Sequence, residues 1–563
     1  MKKHKKHRQA QRLALRREEL VAILERAKTT PLGQPDFETL LGAVDTLAFV
    51  TQELEAKGAS LQRLRNMLFG SPTEKTEKIF EDGKGANANP TTKPAEGKPE
   101  SKEKTPGHGR NGAASYTGAK KKRVPHPSLK KKDRCPECKK GKVYSMAGPA
   151  TLVRIFGMAP LDATVYELER LRCNLCGEIF TAPAPEGVGN EKYDDSAAAM
   201  IGSLKYGAGL PFHRLERLQR GMGIPLPAAT QWEIVEGAAE KFEPAFDELI
   251  HQGAQGRVLH NDDTTARILE WMTPDDQDAD DEAAALGAPR DGPDNDNEKK
   301  ERTGIYTSGI VSVADDHRVA LFFTGHQHAG ENLADVLSRR SKALSAPIQM
   351  CDALAANTSP AMATILANCL SHGRRQFVDI ANNFPEACRH VLESLREVYR
   401  NDEIAKKRAM TDEERLAFHQ AESGPPMQAL EAWMQRQLDE RLVEPHSGLG
   451  EAIKYMQRHW KKLTLFLRKS GAPLDNNVCE RSLKKAILHR KNSYFYRTEH
   501  GAHVGDVFMS LIHTAELCGI EPFPYLVALL RHHEAMAQSP SAWMPWNYKA
   551  TLATMETTIS LSA

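Results

Sequence analysis

The sequence predicts a multidomain α/β protein whose main domain carries a helical insertion. Three observations predict it. Four short apolar runs between 256 and 354 read as strands, with acidic residues at or near their ends. The chain on either side of those runs has helical periodicity. Composition also changes abruptly along the 563 residues, which marks several segments instead of one continuous domain.

In chain order, residues 1–36 form a basic N-terminal segment. Residues 1–28 carry ten Lys/Arg against three Glu, and no apolar stretch follows that would make this a secretory signal. Residues 37–70 predict a long helix with leucines every seventh position, at Leu40, Leu47, Leu54, Leu61 and Leu68. The alternate seam positions are poor (Val44, Thr51, Gly58, Arg65), so two readings stand: a short self-associating zipper, or a helix packed on its own chain. Residues 71–133 read as a flexible basic linker. The stretch 71–134 carries sixteen Lys/Arg against eight acids, and Gly, Pro, Lys and Ala leave too few apolar groups to offset ordering entropy. Such basic segments favour a polyanion; the plain alternative is a solvated tail.

Residues 134–185 hold two C-x-x-C pairs, Cys135/Cys138 and Cys173/Cys176. Four thiolates with no open position describe structural zinc. Redox chemistry in one pair is the rival, and two pairs together without an obvious βαβ unit argue against it. The gap between the pairs has room for two strands, TLVRIFGMAP and TVYELERLRC. The other five cysteines (Cys351, Cys369, Cys388, Cys479, Cys518) are scattered singly, a reducing-compartment pattern and not a disulfide framework. Residues 186–252 read as helices broken at Gly207–Pro211 and Gly221–Pro227. Arg214, Arg217 and Arg220 on one segment suit either a DNA-facing helix or a scaffold with a solvated basic face. No apolar run reaches the roughly 18 residues a membrane helix needs.

Residues 253–515 form the α/β domain. RVLHNDDTTARILEW reads as one strand, TGIYTSGIVSVADDHRVALFFTG as two joined at Ala314–Arg318, and APIQMCDAL as a fourth. An acidic loop near 274–302 separates the first two. Its residues 274–296 carry nine acids against one Arg. From 360 to 470 the chain reads as helical, with the insertion near 376–470. Residues 516–563 are a helical tail.

Phosphodiester chemistry requires charge neutralisation on the attacking and leaving oxygens, which two carboxylate-held divalent ions provide. Two strand Asp and a helical Glu make a workable cage. The sequence offers Asp262 in HNDDT, Asp352 in QMCDAL and Glu480 in DNNVCERSLKK. Asp263 competes with Asp262, because alternation along a strand puts them on opposite faces. Asp475 and Asn476 are candidates to cap the helix carrying Glu480, and Asn476 and Glu480 share one helix face. The bases that come after Glu480 suit a helix laid against phosphates; the alternative is an ordinary charge-laced amphipathic helix.

The run DNNVCERSLKKAILHRKNSYFYRTEHGAHVGDVFMSLIHTAELCGIEPFPYLVALL resembles the C-terminal signature of insertion-sequence 66 transposases. SAWMPWNYK, LFGSPTEK, the cysteine pairs, LKYGAGLPFHRLERLQRGMGI, HNDDTTARIL and CLSHGRRQF resemble further family segments in the same order. The resemblance implies an RNase H-like catalytic domain of the DDE type, cutting and joining DNA at transposon ends with two Mg2+ (or Mn2+) ions. It places the catalytic carboxylates at Asp262, Asp352 and Glu480. It makes His372, Arg374, Arg375, Asn476, Asn477, Arg481 and Lys491 candidates for substrate or supporting contacts. It also implies small accessory proteins of the same element and action on DNA in a bacterial cytoplasm, at the nucleoid. Three departures stand out: ALAANTS after Asp352 where the family usually has aromatics, Gly373 where Ala is common, and a long acidic insertion. Two other functions compete. A retired, DNA-binding relative predicts binding without cleavage, and a structure-selective nuclease predicts cutting of junctions without element ends.

Overall fold

The computed structural model describes residues 17–27, 31, 33–37, 39–40, 127–144, 158–172, 179–183, 185–186, 191–272, 304–314, 316–358 and 363–562. The leucine repeat beyond Leu40, most of the basic linker, Cys173, Cys176 and the acidic loop lie outside the described residues. The chain divides into two units. One comprises Met1–Asn87, Pro185–Glu216 and Leu226–Ala563; the other comprises Ala88–Ala184 and Arg217–Pro225.

The larger unit is built on five strands: β1 (Val258–Thr265), β2 (Tyr306–Val313), β3 (Arg318–Gly325), β4 (Ile348–Cys351) and β5 (Ile365–Asn368). Their order across the sheet is β3-β2-β1-β4-β5. The first three pair antiparallel, β2 and β3 through a short turn and β1 and β2 across the long 266–305 connection, and β1, β4 and β5 run parallel. Four of these strands lie within the runs expected from sequence. The fifth does not: β5 falls where the sequence reads as helical. Its residues ILAN carry no alternation that sets them apart from the helical sequence after them, and pairing with β4 makes them a strand.

Helix α1 (Ala228–Ala254) and helix α9 (Glu499–Leu517) pack on this sheet, Phe242 meeting Phe508 edge-on at 5.3 Å between centroids. α9 also solves the problem of the β3 edge. Unpaired N–H groups on an edge strand recur every second residue, about 6.8 Å apart. Side chains four apart on a helix recur every ~6.0 Å. The two spacings nearly match. Thr514 accepts from the Ala320 amide at 3.0 Å, Ser510 from Phe322 at 3.0 Å, and Asp506 from Thr324 at 2.6 Å. The edge is thereby covered by side chains and closed to further strands. Farther on, Trp543 is buried and Trp546 stacks on His317 at 3.8 Å, so the C-terminal segment fastens the β2–β3 turn.

After β5 come α3 (Leu370–Asp379) and the inserted helices α4 (Pro385–Lys407), α5 (Asp412–Glu422), α6 (Gly424–Asp439) and α7 (Gly448–Leu463). Their apolar faces are not separate from the sheet. Leu392, Leu395, Met427, Leu430, Ile453 and Met456 belong to one cluster with Ile348, Met350 and Ala367 of β4 and β5. Inside the insertion Asp402 receives Arg415 at 2.7 Å, Lys406 at 2.6 Å and His419 at 3.3 Å. Burial pushes its pKa up, but His419, Arg415 and Lys406 outweigh that and hold it well below the usual range. The chain then returns through α8 (Asn477–Ser493) to α9.

In the smaller unit Cys135 and Cys138 lie in a tight turn. The strand expected over TVYELERLRC is confined to Arg170–Arg172, and it pairs with Ile179–Thr181, beyond the second cysteine pair.

Candidate active site

β1 starts in the core and ends in the open. Val258 to Asn261 are buried, and from Asp262 the side chains become partly accessible. The parallel register pairs His260 with Met350. Two residues further along each strand come Asp262 and Asp352, level with one another at the same end of the sheet. Asp352 is fixed by the turn that leaves β4. Its Oδ1 accepts from the Leu354 amide at 3.1 Å and from Asn357 Nδ2, while Asn368 Nδ2 donates to its carbonyl at 3.0 Å. Asn357 is itself held, its carbonyl receiving Asn261 at 2.8 Å and Gln349 at 2.7 Å. The ALAANTS run that departs from the family pattern therefore supplies a direct support for Asp352. Sequence reading missed this amide set (Asn261, Gln349, Asn357, Asn368); polar residues inside strand-like runs were the available signal.

Glu480 arrives from α8, which must lie close over the sheet. Gly309 of β2 sits opposite Asp262, and a Cβ there would stand 2.8 Å from Leu483. Its missing side chain is what admits the helix. Cys479 Sγ donates to the Gly309 carbonyl at 3.2 Å. The start of α8 is stapled by Asn476, fully buried, whose Nδ2 donates to the Asn261 carbonyl at 3.1 Å. Its Oδ1 must then accept from His260 Nδ1, 3.1 Å away. Burial holds His260 down to about 4, so this imidazole is neutral and carries its proton on Nδ1. Asn476 therefore does not cap the helix with its side chain, because that side chain is committed to β1. Asp475 Oδ1 instead accepts from the Asn477 amide at 3.1 Å.

The two adjacent aspartates of β1 have different surroundings. Asp263 is fully engaged: it accepts Ser308 Oγ at 2.6 Å, His328 Nδ1 at 3.0 Å and the Ala329 amide at 2.9 Å, at the start of α2 (Ala329–Ser338). Asp262 faces the other carboxylates. Burial, then the charge of Asp352, then that of Glu480 push its carboxyl up to about 7, against the Asp263 amide that it accepts at 2.9 Å. Glu480 Oε1 is buried without a hydrogen-bond partner. His372 Nδ1, 3.8 Å away on α3, is buried and unpartnered too. Cys369 Sγ lies within 4.8 Å of both, and it accepts the Asn476 amide at 3.2 Å.

Asp262 thus feels the charges of Asp352 and Glu480, while the tightest group of ligand atoms among the described residues is Cys369, His372 and Glu480, all within 4.8 Å of one another. Asn477 turns instead to Asp475 at 2.8 Å, and Arg481 and Lys491 are exposed on α8. Arg374 and Arg375 are half-buried on the helix that carries His372.

A sheet ordered 3-2-1-4-5 with carboxylates at the ends of its central parallel pair and a third on a returning helix sits within a segment of known kind. The family described as Transposase IS66 family matches residues 192–504, more than half of the chain. The chain belongs to the IS66 transposase family. The matched segment contains Asp262, Asp352, His372 and Glu480; Cys135 and Cys138 precede it. Three Sinorhizobium fredii proteins are similar. Uncharacterized protein y4jD is 29% identical over 403 residues, covering 68% of this chain and 71% of its own length. Uncharacterized protein y4hP is 24% identical over 406 residues, covering 68% and 67%. Uncharacterized protein y4qI is 28% identical over 188 residues, covering 33% and 34%. A transposase role in general follows from the family. Among the described residues no helix is long and apolar enough to cross a membrane.

The first cysteine pair lies in a tight hydrogen-bonded turn. The Gly141 carbonyl accepts the Cys135 amide at 2.8 Å, and the Gly141 amide points at Cys138 Sγ at 3.4 Å. Lys139 takes φ +56° to close the turn. The Gly141 and Lys140 amides lower the Cys138 thiol pKa, which favours the thiolate.

Proposed function

We propose that this IS66-family member is an active DDE transposase that binds transposon ends, cleaves phosphodiester bonds there and transfers the strand into target DNA. Asp262, Asp352 and Glu480 are its catalytic carboxylates. The observation that supports the reading is the mutual charge of Asp262, Asp352 and Glu480, which raises the Asp262 carboxyl, together with a buried Glu480 oxygen that has no hydrogen-bond partner. Like charges held together at the cost of a raised pKa ask for a cation. The donors are oxygens, which suits Mg2+ or Mn2+, and two such ions would neutralise charge on the attacking and leaving oxygens of the phosphate. Asn357 orients Asp352, Asn476 fixes the start of the helix bearing Glu480, and His372 stands beside Glu480 to hold it or the substrate. Arg374, Arg375, Arg481 and Lys491 supply positive charge for the DNA backbone.

The same reading gives the four cysteines, Cys135, Cys138, Cys173 and Cys176, a structural zinc and makes the leucine repeat the means of self-association. The decisive experiment is strand cleavage on DNA from the flanks of the coding locus, with Mg2+ or Mn2+, comparing wild type with Glu480→Gln. Nicks at inverted-repeat boundaries are expected from wild type, with a loss of at least ~100-fold in the variant. Near wild-type nicking by Glu480→Gln would sink the assignment. Specific binding without cleavage by either protein would favour the retired, DNA-binding relative.

A further inference from the structure

Two large aromatic rings stand in solvent just past α8. Tyr494 is 64% exposed and Phe495 44%. Single exposed apolar residues need no explanation, but these are adjacent and the backbone presenting them is strained. Tyr494 has φ +66° and ψ −45°, and the Phe495 amide donates back to the Ser493 carbonyl at 2.9 Å. That is a γ-turn of the rare, high-energy hand, centred on a residue with a bulky side chain.

The strain is held from both sides. The Tyr494 amide donates to the Arg490 carbonyl at 2.8 Å. Tyr496 donates its amide to the Arg267 carbonyl at 2.8 Å and receives the Leu269 amide at 2.9 Å, while its ring stacks on His489 at 4.6 Å. A loose loop would relax; this one is clamped with its rings outward.

Cationic side chains surround the rings. Arg267 and Arg490 line one cleft with Tyr494, Phe495 and Thr265. Lys491 and Arg497 are exposed next to it. Burial and the neighbouring Arg267 charge lower the Arg490 pKa, an effect that a nearby anion would offset, and Arg490 Nη1 is held in place by Thr265. Arg490 also reaches Thr264 Oγ1 at 3.3 Å, two residues from Asp262 on the same strand. The patch is therefore anchored to the strand that carries Asp262.

We propose that Tyr494 and Phe495 are a stacking platform for an unpaired DNA base beside the scissile strand, with Arg267 and Arg490 taking an adjacent phosphate. The inference rests on the DNA-cutting reading above. Rigid aromatic faces flanked by cations match a nucleobase attached to a phosphate, and every base has a face to stack.

The test uses the full chain in EDTA, so it does not depend on cleavage. The probe is a short oligothymidylate carrying one 2-aminopurine, compared with a blunt duplex of equal length. Wild type should quench the fluorescent base on binding. Tyr494→Ala/Phe495→Ala should abolish the quench and weaken single-strand binding roughly 5- to 100-fold, with a smaller effect on the duplex. Tyr494→Trp/Phe495→Trp should restore both. Tyr494→Gly separates a binding role from a structural one: glycine accepts the positive φ, so the melting temperature should be no lower than wild type while binding still falls. Absence of quenching by wild type, or unchanged affinity and quench in Tyr494→Leu/Phe495→Leu, would overturn the proposal. Loss of stability in Tyr494→Gly would do the same by making the ring structural.

Discussion

Asp262 and Asp263 are neighbours of one residue type, and their surroundings assign them opposite tasks. Asp263 spends its lone pairs on Ser308, His328 and the amide that opens α2. Asp262 is left facing like charges and is raised to about 7. Linkage sets the sign. Between the ordinary value of 3.8 and about 7 the folded chain holds this proton more tightly than the unfolded chain, so stability falls as pH rises through that window and stays low above it. Asp262→Asn should therefore raise the melting temperature at pH 8 without divalent ions, by a gain on the order of 1–3 kcal/mol. The gain should shrink toward nothing near pH 4. Asp263→Asn should instead lose about 1 kcal/mol at pH 8, through a weakened cap and a lost carboxylate partner for His328. Unfolding curves at the two pH values check both, and a pH-independent effect of Asp262→Asn would contradict the assignment.

At the level of elements, the site depends on how closely α8 approaches β2. Gly309 is the contact that sets it. Gly309→Val would force Leu483 and the helix outward, with overpacking costing about 1–3 kcal/mol. A displacement of Glu480 by roughly 1 Å is enough to cost about 100-fold in a positioned reaction. Cleavage should fall far more than stability does, and Leu483→Ala in the same chain should recover part of both. Measuring unfolding and strand cleavage on the three proteins decides it. The α8 sequence announces a helix with an acid and flanking bases, and that much was legible. That Asn476 would staple the helix to β1 instead of capping it was not, because His260 and Asn261 lie far away in sequence. β5 was illegible for a related reason: its four residues become a strand by pairing, not by pattern.

For the whole molecule, the larger unit and the one with Cys135 and Cys138 are each compact by themselves. If zinc belongs to the second alone, purified protein should contain about one zinc per chain, and Cys138→Ser should lose most of it. The main unfolding transition, which reports the five-stranded sheet and its insertion, should move little. Metal analysis alongside calorimetry checks this; a large drop in the main transition would mean the two bodies share stability. The insertion behaves differently. Its core continues into β4 and β5, so it buttresses the strand that ends at Asp352.

By itself the sequence determined four of the five strands and the helical insertion, and it singled out three acids as candidates, because periodicity, composition and motif are read from near neighbours along the chain. Only the tertiary structure decided which of two adjacent aspartates is engaged by Ser308, His328 and Ala329, which amides hold Asp352, and where the β3 edge is covered. Those outcomes depend on register and on close approach between distant segments. A one-residue slip would exchange Asp262 for Asp263, and nothing local to HNDDT forbids it.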